Sequence, residues 1–506
     1  MDIISELPDD VLRKILYFLS QEEAARTSVL SKPWRYIWCT RPNLDFSYTP
    51  PTMGVDYNRF RAENKIKKQE FISAVDATLR RYRDNQSACA EEFRLSMSLD
   101  NSNYDPDRVS VSFLEKWVPS LVNMVTKEFH LSIVSERYPG RVELPPVVWG
   151  CEPLRYLYLE KFLLDQKAIE RIVPLKNLKS LGLQEILIED DTIFGKIISN
   201  CPSIENLDVH GFLSLKTIKV SDDDLHNLKN VNFSFDTVLR DVLRELRIIE
   251  IHHSSLETIN IGNANICFGE GAGFLNLKYL NLGGVKSPLG HLSSYKFPSL
   301  ENLEFHDCDG LKGSEVLFID APNIVYFEFS GEFIPSISIA TTSEEWESCI
   351  DIPYVPGNNN DDPLSFFIKL KQLLESLSDS EIYLTGNHSM HFNDYVIPEN
   401  IRNGCDGGNK YVVVENLILN FHLSSVIPSL LNRFLSICRP RNVVNCNLDQ
   451  LENNNESWWF RDLEEAKLEA YDISQGKWHA TTLSELPNYD DSEYYDTRIA
   501  LKWRES

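Results

Sequence analysis

Residues 277–282 read Leu277-Lys278-Tyr279-Leu280-Asn281-Leu282, with apolar side chains at the first, fourth and sixth positions. The same spacing begins again at seven other places, namely Leu154, Leu178, Ile204, Leu228, Leu256, Leu300 and Ile324. One such match arises easily by chance, but successive starts lie 21 to 28 residues apart, which is the period of a repeated supersecondary unit. The regular spacing therefore predicts an array of stacked units.

Each repeat predicts a strand followed by a return segment. The last two apolar residues are separated by a single residue, as a strand with one buried face requires. Prolines such as Pro202 and Pro298 come shortly before the strands, where they end the preceding segment. Because each unit stacks on the one before, the strands should form a parallel sheet over a shared core, which places the chain in the α/β class.

This pattern resembles a leucine-rich-repeat solenoid, in which the parallel sheet lines a concave face. On that resemblance we assign residues 91–330 to leucine-rich repeats, with 215–220 as a shortened extra unit. Residues 331–506 are assigned to irregular C-terminal repeats and a cap. The tail from 462 to 503 could supply the closing strands of that cap.

The N-terminal residues predict a separate helical module. Apolar residues from Val11 to Leu19 recur on one face of a helix that begins after Pro8. A second helix should run to about Leu30, and a third should follow over 31–38. Three helices of this length bury little surface, so a partner or the following domain should cover part of the module.

The helical module resembles an F-box, because Leu7-Pro8-Asp9-Asp10-Val11-Leu12 and Ser31-Lys32-Pro33-Trp34-Arg35 occur together and in order. We assign residues 1–46 to this domain and 47–90 to a helical linker. The resemblance implies that the module binds a Skp-type adaptor, which joins it to the cullin and RING subunits of a ubiquitin ligase. The adaptor-binding residues that it implies are Leu7, Pro8, Leu12, Ile15, Leu16 and Leu19. The residues alone leave open that these side chains form only the internal core of the module.

The overall layout is similar to that of plant F-box proteins with leucine-rich repeats, some of which also carry a C-terminal FBD module. The tryptophan-proline and cysteine-leucine landmarks of that module do not occur in order here.

Side chains between the buried positions of the repeat strands should point to the concave face. They are Tyr156, Tyr158, Asp208, His210, Asn232, Tyr279, Asn281, Glu304, His306, Tyr326 and Glu328. This set mixes aromatic side chains with acidic groups, which favours a protein or peptide target of basic character. The alternative for each one is that it simply faces solvent.

The composition is that of a globular protein, with 42% hydrophobic and 25% charged residues among 506. The net charge of −25 argues against nucleic acid as the main partner. The N-terminus lacks the pattern of a secretion signal, and no apolar run is long enough to span a membrane. Ten dispersed cysteines without a C-x-x-C pair fit reduced thiols. We therefore expect a cytoplasmic or nuclear protein with no membrane partner.

No pattern of catalytic or cofactor-binding residues stands out. His388 and His391 lie three apart with Cys405 downstream, but the absence of paired thiols disfavours a zinc site. The glycine-rich segment 269–273 lacks the lysine of a phosphate-binding loop. The run 222–224 of three aspartates is interpreted as a solvated turn. We expect no metal, no cofactor and no catalytic residue.

Function should then come from surface recognition. The favoured hypothesis is a substrate-recognition subunit of an SCF-type cullin-RING ubiquitin ligase, in which the F-box binds the adaptor and the repeats bind a protein target. Two alternatives stay open: a protein-interaction scaffold that does not lead to degradation, and a small-molecule or hormone co-receptor of the F-box/LRR type.

Overall fold

The computed structural model divides the chain into two compact units, Met1–Thr258 with Asn263–Ala272, and Ile259–Gly262 with Gly273–Ser506. It describes residues 7–19, 21–39, 41–48, 57–84, 91–98, 108–122, 124, 127–134, 142–170, 172–211, 215–235, 247–269, 273–313, 315–352, 363–387, 411–420, 427–444, 458–472, 476–481 and 497–504. The predicted combination of a helical N-terminus and a large parallel sheet is confirmed.

Three short helices open the first unit, as the sequence predicts. They are α1 (Asp9–Tyr17), α2 (Gln21–Thr27) and α3 (Lys32–Cys39). Helix α1 begins directly after Pro8, whose carbonyl accepts hydrogen bonds from the backbone N–H groups of Val11 and Leu12. The helices pack around a small buried cluster made of Leu12, Leu16, Ala24, Trp34 and Ile37.

Seven strands of the first unit pair in parallel and in chain order. They are β1 (Asn43–Tyr48), β2 (Glu92–Ser98), β3 (Glu128–Val134), β4 (Tyr156–Glu160), β5 (Ser180–Gln184), β6 (Asn206–His210) and β7 (Asn230–Ser234). Leu157, Leu181, Leu207 and Val231 face one another in this register, and each is at most 1% exposed. A continuous ladder of aliphatic side chains therefore holds the strands together.

Helices and short strands lie between these main strands. The helices are α4 (Tyr57–Asp84), α5 (Arg108–Val122), α6 (Asp191–Ser199) and the 3₁₀ turn Pro146–Gly150. The return strands form two small parallel sheets, Val142–Glu143 with Phe162–Leu164 and Leu187–Ile188, and Thr217–Ser221 with Ile248–His252 and Asn265–Phe268. Segment 215–220 is thus not a shortened repeat: its strand belongs to a return sheet, where Ile218 and Val220 are buried.

The second unit continues the same strand pattern. Its main strands are β8 (Thr258–Gly262), β9 (Tyr279–Gly283), β10 (Asn302–His306), β11 (Tyr326–Ser330), β12 (Glu347–Ile352), β13 (Glu381–Asn387), β14 (Val412–Asn420) and β15 (Cys438–Val444). Strands β9 to β15 pair in parallel with their neighbours. The repeat sheet therefore extends well past residue 330.

Three antiparallel strands complete this unit. They are β16 (Leu463–Asp472), β17 (Lys477–Ala480) and β18 (Thr497–Trp503), and β18 lies between β15 and β16. The tail does supply closing strands, one of the possibilities that the sequence leaves open. The remaining elements are α7 (Pro363–Ser376), α8 (Ile427–Phe434), the return strands Leu317–Asp320 and Ile337–Ala340, and the 3₁₀ turns Gly290–Ser294, Asp309–Leu311 and Trp458–Asp462.

A left-handed residue directly follows many of the main strands. Lys161, Glu185 and Asp307 have positive φ angles of 62°, 49° and 50°, and Gly211 and Gly284 take the same position in their repeats. The N–H of Glu185 donates to the carbonyl of His210 at 2.7 Å, and that of Asp307 donates to Ser330 at 2.7 Å. The backbone N–H of each left-handed residue thus donates to the carbonyl at the end of the next strand. For the three non-glycine residues, this hydrogen bond offsets the energetic cost of a left-handed backbone.

Candidate adaptor and target surfaces

The six residues predicted to bind an adaptor fall into two groups. Leu12 and Leu16 are 0% exposed and lie inside the helical cluster, so in this conformation they offer no surface to a partner. Leu7, Ile15 and Leu19 are partly buried against the same cluster, whereas Pro8 is exposed. Trp34 is buried and Trp38 packs on the cluster, as expected for core residues. Adaptor binding by any of the six stays a prediction.

Among the described residues of the helical module, five large apolar side chains that the sequence pattern does not single out are exposed. They are Tyr17 (42% exposed), Phe18 (84%), Val29 (84%), Leu30 (59%) and Tyr36 (55%). None belongs to the periodic apolar face that identifies the helices, and Phe18, Val29 and Leu30 follow the ends of α1 and α2. Exposed side chains of this size in so small a module are typical of a protein-binding surface.

A buried arginine joins the helical module to the repeat sheet. Arg41 is 1% exposed; its Nη2 donates to the Leu19 carbonyl at 3.1 Å and its Nε to the Asn43 carbonyl at 2.9 Å. The Tyr82 hydroxyl of α4 donates to the Arg41 carbonyl at 2.6 Å. One residue therefore contacts the segment after the first helix, the first strand and helix α4.

Two further contacts support this joint. The Arg81 guanidinium lies 4.5 Å from the centre of the Trp38 ring, and the Tyr17 hydroxyl donates to Glu92 Oε1 at 2.9 Å. The hydrogen bond to Glu92 and the charge of that carboxylate raise the pKa of Tyr17. Within the first unit, the helical module is thus fixed against strands β1 and β2.

All eleven side chains predicted to face a target alternate with buried residues on main strands, so each lies on the solvent side of the sheet in its own unit. In the first unit, the Tyr158 ring stacks on His130 with centroids 4.2 Å apart, and its hydroxyl donates to Gln184. Burial and the nearby Glu160 raise the pKa of Tyr158. A side chain at Gly182 would collide with the Tyr158 ring, which explains the glycine there.

Asp208 and His210 form a pair on the same face. His210 Nε2 lies 2.6 Å from Asp208 Oδ1 and 3.2 Å from the Asn232 amide nitrogen. The hydrogen bond to Asp208 raises the pKa of His210. Burial and the positive Arg94 instead lower the pKa of His130. Tyr156, at the edge of this group, is 37% exposed.

In the second unit, tyrosine hydroxyls orient two carboxylates. The Tyr279 hydroxyl donates to Glu304 Oε2 at 2.7 Å, and the Asn281 amide donates to the same oxygen at 3.0 Å. The Tyr326 hydroxyl donates to Glu328 Oε2 at 2.6 Å. His306 lies between the two carboxylates, 3.6 Å from Glu304 and 3.9 Å from Glu328.

The described residues include no group of three or more side chains placed to hold a metal ion. Asp222 accepts hydrogen bonds from the backbone N–H and hydroxyl of Ser254, which fits its interpretation as a turn residue. His388, His391 and Cys405 lie outside the described residues. No helix in the described ranges is long and apolar enough to cross a membrane.

Comparison with known proteins finds a family match in each of two regions of the chain. Residues 4–46 match the F-box domain family, and residues 114–266 match a family described as "FBD-associated F-box protein At5g56370, LRR repeats". The chain carries an F-box followed by leucine-rich repeats. In this F-box/LRR chain, the helical module is the F-box and the main strands β3 to β7 lie within the matched repeats.

Similar proteins occur in Arabidopsis thaliana. The F-box/LRR chain is 29% identical to F-box/FBD/LRR-repeat protein At1g78750 over 42% of each chain. It is 27% identical to F-box/LRR-repeat protein 13 over 53% of each, and 28% identical to FBD-associated F-box protein At4g13985 over 42% of each. The matched region thus spans about half or less of these relatives.

Proposed function

We propose that the F-box/LRR chain is a substrate receptor of an SCF-type cullin-RING ubiquitin ligase. The observation that carries this proposal is an F-box with large exposed apolar side chains, joined to the repeat sheet through the buried Arg41. The F-box would bind a Skp-type adaptor, and the sheet face would bind a protein target. We place the protein in the cytoplasm or nucleus, where such ligases would meet their targets.

The chain itself would perform no chemistry on this proposal. Its role would be to hold a target lysine near the ubiquitin carrier, so that proximity and orientation raise the rate of transfer by other subunits. A rigid joint between the adaptor-binding and target-binding parts favours this role, because a loose joint would spread the target over many positions. The contacts of Arg41, Tyr82 and Trp38 support such rigidity within the first unit.

Binding to a purified Skp-type adaptor tests the proposal directly. Replacing Phe18, Val29 and Leu30 by alanine should weaken adaptor binding at least about tenfold, since buried apolar anchors dominate such interfaces. The matched control replaces Leu275, Val316 and Val325, which are 64%, 60% and 53% exposed in the second unit. A further variant, Leu7→Ala with Pro8→Ala and Ile15→Ala, tests the residues that the F-box resemblance implies.

Folded wild-type protein that does not bind the adaptor would refute the proposal. If the adaptor binds but a reconstituted ligase never modifies any protein held by the repeats, the non-degradative scaffold is the better description. Circular dichroism melting of every variant separates lost binding from lost folding.

A further inference from the structure

Four of five neighbouring strands in the second unit carry acidic side chains, and none of the five carries a lysine or an arginine. Strands β9 to β13 contain no lysine or arginine in their sequence, and their acidic residues are Glu304, Glu328, Glu347, Asp351 and Glu381. None of the five is among the buried residues. We call the solvent side of these five strands the acidic face. The seven main strands of the first unit differ, since Arg94 lies among their acidic residues.

The two central carboxylates of the acidic face are partly removed from water. The side chain of Glu304 is 15% exposed and that of Glu328 is 26% exposed. Both are oriented through Oε2, by Tyr279 and Tyr326 respectively. A carboxylate that is desolvated and held in one orientation binds an incoming cation more strongly than a mobile, fully hydrated one.

The described residues supply little positive charge to these carboxylates. His306 is the one ion partner that the structure gives to Glu304 and Glu328 there, at 3.6 and 3.9 Å. The negative charge of these carboxylates also contributes to the raised pKa values of neighbouring groups. Burial, and then the charges of Glu328 and Asp307, raise the pKa of Asp351, although a hydrogen bond from Ser330 opposes this. Burial and the bond to Glu304 raise the pKa of Tyr279 to about 12.

Aromatic rings lie beside these carboxylates on the same face. Tyr279, Tyr326 and Tyr383 occupy solvent-side positions of β9, β11 and β13. A guanidinium group can bond a carboxylate with its edge and lie on a tyrosine ring with its plane, whereas an ammonium group offers only a point charge. The combination of ordered carboxylates and tyrosine rings therefore matches arginine best.

We propose that the acidic face binds an extended, arginine-bearing segment of the protein target. This inference rests on the proposed role as a target receptor and narrows the target class by charge complementarity. An acidic segment or a nucleic acid would meet like charges on four of the five strands, β10 to β13. The partner is accordingly a protein segment with arginine side chains directed at Glu304 and Glu328.

Peptide binding to the full chain tests this inference. The probes are fluorescent glycine-serine peptides of equal length that carry three arginines, three lysines or three glutamines, measured by anisotropy. The arginine peptide should bind, the lysine peptide more weakly and the glutamine peptide not measurably. Glu304→Gln with Glu328→Gln keeps the shape and the tyrosine contacts but removes both charges, and should weaken arginine-peptide binding at least about tenfold.

The matched control removes two charges outside the acidic face. Glu315 and Glu344 are exposed in the same unit, so Glu315→Gln with Glu344→Gln should change binding by less than about twofold. No binding of the arginine peptide to wild type, equal weakening in both double variants, or equal binding of the lysine peptide would overturn the inference.

Adaptor binding serves as the independent readout. The Glu304/Glu328 variant should bind the adaptor like wild type, because both residues lie outside the F-box. Peptide binding without adaptor binding would refute only the proposed role in a ubiquitin ligase. Adaptor binding without peptide binding would refute only the proposal that the acidic face binds an arginine-bearing segment.

Discussion

At the scale of single residues, Arg41 shows how one buried cation can connect three elements. Its guanidinium and carbonyl together contact Leu19 in the segment after α1, strand β1 and helix α4. Burial lowers the pKa of Arg41, so the hydrogen bonds must compensate a guanidinium that has lost its water.

We expect Arg41→Ala to lower the free energy of unfolding by about 3 kcal/mol or more, because carbonyl groups that now accept from a cation would be left buried. Urea unfolding measures this change. Arg83→Ala is the control, since its side chain is 60% exposed, and should cost no more than about 0.5 kcal/mol. An Arg41→Ala protein as stable as the control would contradict the role given to this residue.

Two histidines on the first sheet should titrate on opposite sides of the ordinary value of 6.5. His210 has a raised pKa because Asp208 accepts its hydrogen bond, so its stabilising effect is full below 6.5 and is lost as pH rises through the folded pKa. His130 has a lowered pKa because of burial and Arg94, so stability is lost as pH falls below 6.5.

Nuclear magnetic resonance of protein with labelled histidines can follow both titrations, with His130→Gln and His210→Gln used for assignment. We expect Asp208→Asn to lower the pKa of His210 while leaving that of His130 in place. Titration of both imidazoles at the same pH would be inconsistent with these environments.

At the scale of elements, strand β18 closes the C-terminal end of the second unit. It pairs antiparallel with β15 and β16, and its Ile499 and Leu501 are 0% and 7% exposed. The Trp503 indole donates to the Pro440 carbonyl at 2.7 Å, and its ring lies 4.6 Å from the Arg439 guanidinium. The strand therefore covers two edges that would otherwise present unpaired backbone groups.

A chain that ends at Asp496 should be less stable by at least about 4 kcal/mol, because two large aliphatic side chains lose their burial and two strand edges are exposed. Calorimetry should show a lower melting temperature, and size-exclusion chromatography should show association through the open edges. A chain that ends at Arg504 keeps the whole strand and is the control. Unchanged melting of the shorter chain would rule out a closing role for β18.

At the scale of the whole molecule, the cysteines occupy contrasting environments. The described cysteines are free thiols, and Cys151, Cys201, Cys308 and Cys438 are buried while Cys267 is exposed. Burial raises the pKa of Cys201 and Cys438 to about 12 and that of Cys151 and Cys308 to about 11. Buried thiols that stay protonated do not react.

We expect iodoacetamide at pH 8 to modify Cys267 in the native protein and to spare the four buried cysteines. Peptide mapping by mass spectrometry reads out each site, and the same reaction in urea should modify all five. Rapid native modification of Cys201 or Cys438 would show that the core opens more readily than its packing indicates.

The sequence alone predicts the repeat architecture because its signal is local and recurs. Apolar residues two positions apart identify a half-buried strand, and a period near 24 residues identifies the stacking of one repeat on the next. The pairing of Leu181 with Leu207 in neighbouring strands illustrates both signals. The same alternation correctly places residues such as Glu304 and Tyr326 on the solvent side. The three F-box helices are predicted for the same reason.

Only the tertiary structure decides what depends on partners distant in sequence. Strand β1 pairs with β2 across an intervening 28-residue helix, and Arg41 bonds Leu19 from 22 residues away; no local pattern marks either contact. The F-box resemblance likewise groups Leu12 with Leu7 and Pro8, yet packing buries the first and exposes the last. Local periodicity determines which face of an element is apolar, whereas three-dimensional packing determines how much of that face is left for a partner.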